Sequence, residues 1–423
     1  MRFDTLQGWL RWQETLNPRS IDLGLERVRR VAARLGLDQP PFRVITVGGT
    51  NGKGSVTSYA AAMLQAGGFS TGRYLSPHLV RYNERVVVNG VEASDAELCA
   101  AFAAIDEARN GEPLTYFEFG TLAAFEIFRR HAVQVAVLEV GLGGRLDAVN
   151  LFDADVSAVV SLGLDHIDWL GDSLDAIAIE KAGIFRAGRP AICGMPDPPA
   201  ALLAAAQRVG ANTRVAQRDY TWTSPGTEKE AWQWDSADRT IAELPAPMTG
   251  AHQLQNASAA IAAVLALVPA IGDDAIRQGL RVRLPGRLQS LGGAPEVIVD
   301  VGHNVDAALA IAAVLAHKRD AVECVLGMLA DKDTDAFVRA LAPRVRGWHT
   351  IGLEGPRGQG ADALRDRLAA TGVNARAHSS VGDAVAAARA AAGPAGRVLV
   401  TGSFHTVEAF LLYSPAGVTV ERT

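Results

Sequence analysis

Residues 44–55, with the sequence VITVGGTNGKGS, constrain the fold more than any other stretch of this chain. Val44–Val47 is an apolar and β-branched run, which predicts a short buried strand. Four glycines then surround Lys53, and residues 56–66 are rich in alanine with Met, Leu and Gln, as in a helix. Such a strand, loop and helix present backbone N–H groups and a helix N-terminus to a phosphate, while the lysine adds a positive charge.

The spacing of this loop departs from the usual phosphate-loop pattern, GxxxxGK[ST]. Gly54 separates Lys53 from Ser55, and the segment before Gly52 is short. A glycine-rich turn that holds nothing is the structural alternative, but a bare turn needs no lysine and seldom takes so many glycines. The stretch therefore predicts a phosphate site.

Composition limits the class of protein. A chain of 423 residues, 48% of them hydrophobic, predicts two domains with substantial cores. A net charge of −5 argues against a nucleic-acid partner. Three cysteines without CxxC spacing give neither a disulfide framework nor a zinc site, and they fit a reducing cytoplasm. The charged N-terminus is unlike a secretory signal, and no apolar run is long enough to cross a bilayer, so we expect no membrane partner.

Strand-like apolar runs alternate with alanine-rich helical runs along most of the chain, which predicts parallel α/β sheets. This alternation restarts after the turn Pro285–Leu288. We therefore predict an α/β fold with a large P-loop NTPase-like domain at residues 1–287 and a smaller Rossmann-like domain at residues 288–423. Within the first domain, an amphipathic helix is expected to begin near Ile21. Tyr220–Leu244, where tryptophans alternate, predicts a β-hairpin insertion, with stacking on a ligand base as the alternative.

Polar clusters recur at or just past the carboxyl ends of the predicted strands. The clusters are Thr50–Ser55, Ser76–His78, Glu139, Asp165–His166, Asp300–Asn304 and Ser403–His405. Because the carboxyl ends of parallel strands lie along one edge of a sheet, we expect the first four clusters to meet at one edge of the large domain. The last two are expected at the matching edge of the small domain, with a ligand cleft between the domains.

The chemistry expected of this edge follows from charge. A nucleoside triphosphate brings more negative charge than Lys53 can balance, so magnesium is expected. Mg²⁺ prefers hard oxygen ligands, typically one or two carboxylates with hydroxyls, phosphates and water, and Ser55, Ser76 and Glu139 are of that type. Gly402-Ser403 lacks the G-x-S-x-G frame of a nucleophile elbow. Phosphoryl transfer is therefore the favoured reaction class.

Several of these motifs carry little weight alone. A Ser-Pro-His turn is more often structural than functional. Glu180 and Lys181 on a predicted helix would ordinarily form a solvated ion pair. The polar N-terminal face of the predicted helix at residues 250–267 is typical of a capped surface helix. The shared position of the strand-end clusters is what raises the weight of each of them.

Eight short motifs occur in order along the chain. They are GTNGKGS (49–55), SPHL (76–79), EVGLGGRLDAVN (139–150), DH (165–166), EKAGI (180–184), PGR (285–287), DVGHN (300–304) and GSFHTV (402–407). Together they resemble the folylpolyglutamate synthase/dihydrofolate synthase family of the Mur-ligase superfamily, over almost the whole chain. The extra glycine of the phosphate loop, Gly54, is also found in this family. Gly302 departs from the family pattern, because an alanine usually precedes the His-Asn pair.

The resemblance implies ATP-dependent amide formation between L-glutamate and a folate-type acid, 7,8-dihydropteroate or tetrahydrofolate. The carboxylate of the acid attacks the γ-phosphate of ATP and gives an acyl phosphate. The amino group of glutamate then displaces phosphate through a tetrahedral intermediate. The opening Ile21–Arg27 and the ending Phe404–Val407 resemble the bifunctional bacterial members most closely.

The resemblance also implies roles for individual residues. Those expected to bind ATP are Thr50, Asn51, Gly52, Lys53, Gly54, Ser55, Asn256, Arg287, Asp300 and His303. Among them, Asn256 is matched to adenine, Arg287 to the phosphates, and Asp300 and His303 to the nucleotide. Two Mg²⁺ sites are implied, the first with Ser55, Ser76 and Glu139, the second with His166 and a carbamylated Lys181. The expected catalytic residues are Lys53, Glu139, His166 and Lys181.

On the substrate side, the resemblance matches Asp147, Phe117 and the segment Ile21–Leu25 to pterin binding. A carboxylate suits a pterin because it can accept two N–H bonds from the amino-pyrimidinone edge, while a phenyl ring can stack on it. Ser403 and His405 are the candidates for binding the incoming glutamate.

Alternative functions stay open. The chain could be a folylpolyglutamate synthase only, and Lys181 could form a salt bridge instead of a carbamate. A cell-wall Mur ligase usually has an extra N-terminal nucleotide-sugar domain, for which the position of the phosphate loop leaves no room. A P-loop regulatory NTPase would not need the C-terminal clusters. We expect a cytoplasmic monomer that acts on small molecules, with no nucleic-acid or membrane partner.

Overall fold

The structure is a computed structural model that describes residues 2–17, 19, 21–37, 39–224, 231–317 and 321–413. The chain forms two compact units, the first comprising residues 1–78, 82–247 and 253–282, the second residues 79–81, 248–252 and 283–423. The sequence predicts a boundary at 287/288, but residues 283–287 lie in the second unit. The reason is that the Gly286 turn is tied to that unit, since Gly286 O accepts from Val301 N at 3.0 Å and Asp300 Oδ2 accepts from Leu288 N at 2.8 Å.

Helices and strands alternate through the first unit. Its elements in chain order are α1 (Leu6–Gln13), α2 (Glu26–Arg34), β1 (Arg43–Gly48), α3 (Lys53–Ala66), β2 (Thr71–Tyr74), β3 (Val86–Val88), β4 (Val91–Glu92), α4 (Asp95–Arg109), α5 (Tyr116–Arg130), β5 (Val135–Glu139), β6 (Val156–Val159), α6 (Ile167–Leu170), α7 (Leu174–Ala182), β7 (Pro190–Cys193), α8 (Ala200–Val209), β8 (Asn212–Val215), β9 (Tyr220–Thr223), β10 (Trp232–Ser236), β11 (Thr240–Leu244), α9 (His252–Leu267) and α10 (Asp273–Gly279). Short 3₁₀ turns lie at Tyr82–Arg85 and Ala148–Leu151.

The main sheet of the first unit has the strand order β4-β3-β2-β5-β1-β6-β7-β8. The strands from β2 to β8 in this order are parallel, and β3 and β4 are added antiparallel at one edge. The central strands β5, β1 and β6 are buried along their whole lengths, apart from the first residue of β1. Near-continuous apolar runs of this kind are typical of parallel strands covered on both faces. The predicted α/β fold with a parallel sheet is confirmed.

Local sequence signals set several element boundaries. Ser94 with Glu97 and Thr115 with Glu118 form capping boxes that begin α4 and α5. Asn89 and Gly90, both at positive φ, join β3 to β4, as the Asn-Gly pair predicts for a type I′ turn. The expected start of the second helix near Ile21 is wrong, because α2 begins at Glu26 after a non-helical segment that contains Gly24 at φ 155°.

The described residues of the predicted insertion, 220–224 and 231–244, form a separate antiparallel sheet in the order β11-β10-β9, which has one strand more than the predicted hairpin. Trp232 and Trp234 are both buried on β10, and the ring of Trp234 stacks on that of Tyr220 at 6.0 Å. These tryptophans therefore belong to a structural core within the first unit.

The second unit has its own sheet and core. Its elements are β12 (Gln289–Ser290), β13 (Glu296–Val299), α11 (Val305–Leu315), β14 (Val322–Leu326), α12 (Thr334–Leu341), β15 (Val345–Ile351), α13 (Ala361–Ala370), β16 (Ala375–His378), α14 (Val381–Ala392), β17 (Arg397–Thr401) and α15 (Phe404–Tyr413), with a 3₁₀ turn at Ala342–Arg344. The strand order is β12-β13-β17-β14-β15-β16, parallel except for β12. Apolar clusters lie on both faces of this sheet, as expected for a Rossmann-like unit. Among the described residues, no helix combines the length and apolar character needed to cross a membrane.

Candidate active site

The glycine loop connects β1 to α3 as the sequence predicts. Gly52 precedes the first helical residue, Lys53, in a left-handed conformation with φ 83°, and no side chain caps the helix. The first N–H groups of α3 therefore lack a side-chain acceptor, which is the arrangement that an anion can complete. A Cβ at position 52 would also collide with Oδ1 of Asn256, so glycine is required here by both backbone conformation and space.

The loop is held in place from the end of β6. Thr50 donates its N–H to Ser161 O at 3.0 Å, and its hydroxyl lies 3.1 Å from Gly163 O. Asn51 donates its N–H to Ser161 Oγ at 2.8 Å. Gly49, with φ 148°, packs so closely that a Cβ would come 2.6 Å from Val160 Cγ2. The neighbouring strand thus fixes the loop before any ligand binds.

Two lysines bind to carbonyl groups of this loop. Lys53 Nζ donates to Thr50 O at 3.1 Å, and Lys181 Nζ, on α7, donates to Gly49 O at 2.9 Å. Lys181 is only 4% exposed, and burial, together with the charge of Lys53, lowers its pKa to about 7. Glu180 pairs instead with Arg145 at 3.0 Å, so the interpretation of Glu180 and Lys181 as a solvated pair is wrong. The cause is the packing of α7, which turns Lys181 inward.

The expected metal ligands of the first site lie at the ends of neighbouring strands and in the first turn of α3. Glu139, the last residue of β5, is buried, and its Oε2 accepts the N–H of Ser76 at 3.0 Å, just past the end of the adjacent strand β2. Ser55 lies in the first turn of α3, where its hydroxyl accepts from Gln253 Nε2 at 3.3 Å. Because β2, β5, β1 and β6 are adjacent and parallel, their carboxyl ends form one edge, as predicted.

His166 begins the short helix α6 past the end of β6. It has a left-handed backbone at φ 53°, and its N–H donates to Asp165 Oδ1 at 2.9 Å. Within the described ranges, no group of three His, Cys, Asp or Glu side chains is arranged to hold a metal by itself. The donor set nevertheless fits magnesium bound together with a triphosphate, because phosphate and water oxygens supply most of the ligands and one or two carboxylates and hydroxyls suffice.

Asp147 lies in the loop that follows β5. Its Oδ2 accepts from Leu142 N at 2.8 Å and its Oδ1 from Val149 N at 3.0 Å. Burial raises its pKa to about 7, although these backbone N–H groups and Lys53 oppose the rise. Asp147 is thus a carboxyl group that titrates near neutrality in the free protein.

Phe117, in the first turn of α5, lies against the same loop. A Cβ at Gly141 would come 2.6 Å from Phe117 Cζ, and the ring centroid lies 6.0 Å from that of Tyr74. The neighbouring residue Glu118 accepts from Arg27 Nε at 2.9 Å, and Arg27 also pairs with Asp22. The Ile21–Leu25 segment is therefore tied to the start of α5, next to Phe117.

Asn256 lies on α9, one turn from its N-terminus, and packs on Gly52 of the phosphate loop. Its Nδ2 donates to Gln253 Oε1 at 3.3 Å. Gly54, like Ser55, is buried in the first turn of α3. The first unit therefore brings together the expected ATP-binding residues 50–55 and Asn256.

The second unit brings Arg287, Asp300 and His303 together. Asp300 is buried and accepts N–H groups from Leu288 at 2.8 Å and Gly302 at 2.7 Å. Burial raises its pKa, which the charge of Arg287 opposes. His303 Nδ1 lies 3.0 Å from Val301 O. A Cβ at Gly302 would come 2.8 Å from both Ala307 Cβ and Asp300 Oδ1, which explains the glycine in this turn.

The candidates for glutamate binding have different surroundings. Ser403 is buried, and its hydroxyl accepts the N–H of Thr406 at 3.0 Å, as a helix cap does. The side chain of His405 is 61% exposed and lies 3.4 Å from Glu408 Oε2. Ser403 and His405 thus lie on opposite sides of the start of α15, one internal and one external.

Three polar residues of the first unit have no counterpart in the sequence predictions. Arg73 on β2 donates to Ser58 Oγ at 3.4 Å, and burial lowers its pKa to about 10. Gln253 contacts Ser55, and Arg85 donates to His78 Nδ1 at 2.8 Å. The sequence gives only weak signals for them: an arginine inside a predicted strand, and a glutamine three residues before Asn256. Their roles depend on contacts between distant segments.

Comparison with known proteins agrees with this geometry. A family profile described as "Mur ligase middle domain" matches residues 47–264, and one described as "Mur ligase, glutamate ligase domain" matches residues 286–404. The Escherichia coli (strain K12) protein named dihydrofolate synthase/folylpolyglutamate synthase is 44% identical over 405 residues, covering 95% of this chain and 94% of that protein.

Solved structures give the same result. A structure of E. coli FolC in complex with DHPP and ADP has a TM-score of 0.92 and 42% identity, and covers 97% of this chain and 98% of that one. A bifunctional folylpolyglutamate synthase/dihydrofolate synthase with Mn, AMPPNP and L-glutamate bound has a TM-score of 0.90 and 42% identity, with the same coverage. The chain therefore belongs to the dihydrofolate synthase/folylpolyglutamate synthase family of Mur ligases.

Proposed function

We propose that this chain is an ATP-dependent ligase that adds L-glutamate to 7,8-dihydropteroate, forming dihydrofolate, and to tetrahydrofolate, extending its glutamate tail. The observation that carries this proposal is the shared sheet edge in the first unit. There the uncapped N-terminus of α3, the amine of Lys53 and the carboxylate of Glu139 follow adjacent parallel strands. The family membership of the chain supports the same chemistry.

The reaction requires two steps, and the residues of this chain suit both. An oxygen of the acid's carboxylate attacks the γ-phosphorus, the bond to ADP breaks, and an acyl phosphate forms. The glutamate amine then attacks the acyl carbon, loses a proton and expels inorganic phosphate. Lys53 and the N–H groups of residues 52–55 hold the phosphates, with no covalent role for the protein. Magnesium, when held by Ser55, Ser76 and Glu139, supplies charge neutralisation to the phosphate oxygens.

We further propose that Lys181 is carbamylated and acts with His166 at a second metal site. Carbamylation requires a neutral amine, which attacks CO₂ and releases a proton. The pKa of about 7 makes a large neutral fraction available near pH 7, unlike an ordinary lysine. The expected result in CO₂-depleted buffer is a loss of activity that bicarbonate restores. Activity independent of CO₂, with a free Lys181 amine found by ¹³C NMR, would contradict carbamylation.

For the acid substrate, Asp147 and Phe117 are the proposed pterin-binding residues. Phe117 packs on Gly141 in the loop that contains the buried Asp147, and the ion pair between Arg27 and Glu118 ties the Ile21–Leu25 segment to the start of α5. The alternative is that the chain is a folylpolyglutamate synthase only. Product analysis with dihydropteroate and tetrahydrofolate supplied separately distinguishes the two functions.

The remaining roles are assigned by unit. We propose that the first domain, placed at residues 1–287 by the sequence, binds ATP and the pterin, and that the second, placed at residues 288–423, is the glutamate-ligase domain; in the structure residues 283–287 join the second unit. Asn256 is proposed for adenine, and Arg287, Asp300 and His303 for the nucleotide. Ser403 and His405 are proposed to serve glutamate binding. Ser403 would do so by fixing the start of α15, and His405 by contacting glutamate with its exposed side chain. The protein is proposed to act as a cytoplasmic monomer, which light scattering of the purified chain tests.

Phosphate release tests the proposed function directly. The purified protein is given Mg-ATP alone, then with dihydropteroate, and then with L-glutamate as well. A ligase should release phosphate productively only when both substrates are present, with one glutamate added per phosphate. Equal release of phosphate from ATP alone would instead indicate a regulatory NTPase and contradict the proposal.

A further inference from the structure

Arg85 lies at the end of the 3₁₀ turn Tyr82–Arg85 and is only 8% exposed. Its guanidinium carbon lies 5.2 Å from the centroid of the Tyr82 ring and 5.5 Å from that of Tyr116. Its Nε donates to His78 Nδ1 at 2.8 Å. The guanidinium also acts on the Tyr74 hydroxyl, opposing the rise in pKa that burial causes there. Arg85 is therefore a buried cation surrounded by rings.

No carboxylate among the residues that the structure describes forms an ion pair with Arg85. Arg109 shows the usual arrangement, because it lies 5.1 Å from the Trp12 ring centroid but pairs with Asp106 at 2.9 Å. Contacts with aromatic faces compensate only part of the cost of burying a charge. A buried guanidinium without a counter-ion is therefore expected to receive an anion from a ligand.

A second observation points to a ligand at the same place. The hydroxyl of Tyr82, whose side chain is 4% exposed, has no hydrogen-bond partner among the described residues. A Cβ at Gly120 would come 2.5 Å from this hydroxyl and 3.1 Å from that of Tyr74. The two hydroxyl groups therefore converge over a glycine next to Arg85. Buried polar atoms are normally hydrogen-bonded, so a ligand atom is expected to pair with this hydroxyl.

The position of Arg85 fits one part of the proposed reaction. Through Tyr74 it adjoins Phe117, on the proposed pterin side. Through His78 it adjoins the turn in which the Ser76 N–H binds Glu139, on the metal side. Arg85 thus adjoins both the proposed pterin side and the turn at the metal edge.

The contact with His78 fixes the chemistry of that residue. Arginine has only donors, so His78 Nδ1 must offer its lone pair and the ring proton lies on Nε2. The Nε2 of His78 is therefore a hydrogen-bond donor. The same contact disfavours the tautomer that would accept a hydrogen bond there.

We propose that Arg85, oriented by His78, forms a carboxylate subsite that binds the reacting carboxylate of the acid substrate. The subsite holds the end of the molecule opposite the pterin and aligns its oxygen at the metal edge. This inference rests on the proposed function, since it assigns a position to that function's substrate. Charge-assisted hydrogen bonds at such a site are expected to favour the acid over its neutral carboxamide.

The test compares dihydropteroate with dihydropteroate carboxamide, which differs only in that group. Binding to the ADP-saturated protein is measured by calorimetry, without turnover. Wild type should prefer the acid by about 10- to 100-fold, and Arg85→Met should reduce this preference to below about threefold. Arg85→Lys should keep part of it. Arg109→Met is the matched control, an arginine on an aromatic ring that has its own carboxylate, and should keep the wild-type preference.

Stability separates this role from a structural one. Because Arg85 is a buried charge without a counter-ion, Arg85→Met should melt at or above the wild-type temperature, whereas Arg109→Met should melt lower. A lower melting temperature for Arg85→Met with the acid preference retained would overturn the subsite. If Arg85→Met does not fold, the test compares the affinities of wild type and Arg85→Lys for dihydropteroate and its carboxamide.

Two outcomes distinguish this inference from the proposed function. Equal binding of acid and carboxamide to wild type, with glutamate ligation intact, overturns the subsite alone. Failure of dihydropteroate to bind wild type at all overturns the proposed function, and the subsite with it.

Discussion

If Asp147 binds the pterin as proposed, dihydropteroate should bind more tightly as the pH rises through 7, because the carboxyl group must lose a proton before it can accept two N–H bonds. Burial raises the pKa of Asp147 to about 7 in the free protein, against an ordinary value of 3.8. In the complex the two N–H donors stabilise the carboxylate and hold its pKa low. Below pH 7, binding therefore releases a proton, and affinity falls as the pH falls.

The magnitude follows from the two pKa values. If the complex keeps Asp147 ionised throughout, the apparent dissociation constant should be about tenfold higher at pH 6 than at pH 8, changing by about one decade per pH unit below 7. The number of protons released on binding should be about 0.9 at pH 6 and about 0.1 at pH 8. The stability of the free protein should change with pH in the opposite direction to the binding affinity. Because the folded state holds the Asp147 proton more tightly than the unfolded state, the free energy of unfolding should fall as the pH rises from about 4 to about 7.

Calorimetry in two buffers of different ionisation enthalpy measures both quantities at once. Asp147→Asn keeps the shape of the side chain but cannot ionise, so it should lose this pH dependence, and any dependence left in it reports the ligand's own titration. Asp147→Ala should weaken dihydropteroate binding more than ATP binding. The same dissociation constant at pH 6 and pH 8, or a full pH dependence in Asp147→Asn, would refute this reasoning.

Three further substitutions test the phosphate and metal sites. Lys53→Ala should lower turnover by about 100-fold or more, because it removes a charge from the phosphates, and near-normal phosphate release would reject this role. Glu139→Gln should raise the Mg²⁺ concentration needed for half-maximal activity, and an unchanged titration would count against Glu139 as a ligand. Gly52→Ala should weaken ADP binding in fluorescence titrations, because its Cβ meets Asn256 and φ is 83°, and wild-type affinity would show that the loop adapts.

The sequence predicts the parts of the site that depend on local pattern and sheet geometry. The strand at residues 44–47 and the glycines after it lie in one continuous stretch, and parallel pairing alone brings the ends of β2, β5, β1 and β6 to one edge. The hairpin at Asn89-Gly90 follows from the turn preference of those two residues. Such features need no knowledge of distant contacts.

Other features depend on how distant segments pack, and the sequence does not reveal them. Lys181 and Glu180 are neighbours on a helix, but only Lys181 points inward, where it meets Gly49. Arg85 follows charged residues in a segment that resembles exposed surface, and it is buried because Tyr116 from α5 packs over it. The apolar residues are at helical spacing from residue 21 to residue 35, but the backbone becomes helical only at Glu26. Gly24, at φ 155°, lies in the non-helical segment before that point.

The transfer of oxygen from substrate to phosphate tests the central claim most directly. Dihydropteroate labelled with ¹⁸O in its carboxylate is incubated with the protein, Mg-ATP and L-glutamate, and the released phosphate is analysed by mass spectrometry. An acyl phosphate intermediate predicts one ¹⁸O atom in each phosphate and an equal amount of glutamate-bearing product. Unlabelled phosphate, or phosphate formed without any glutamate adduct, would contradict the account.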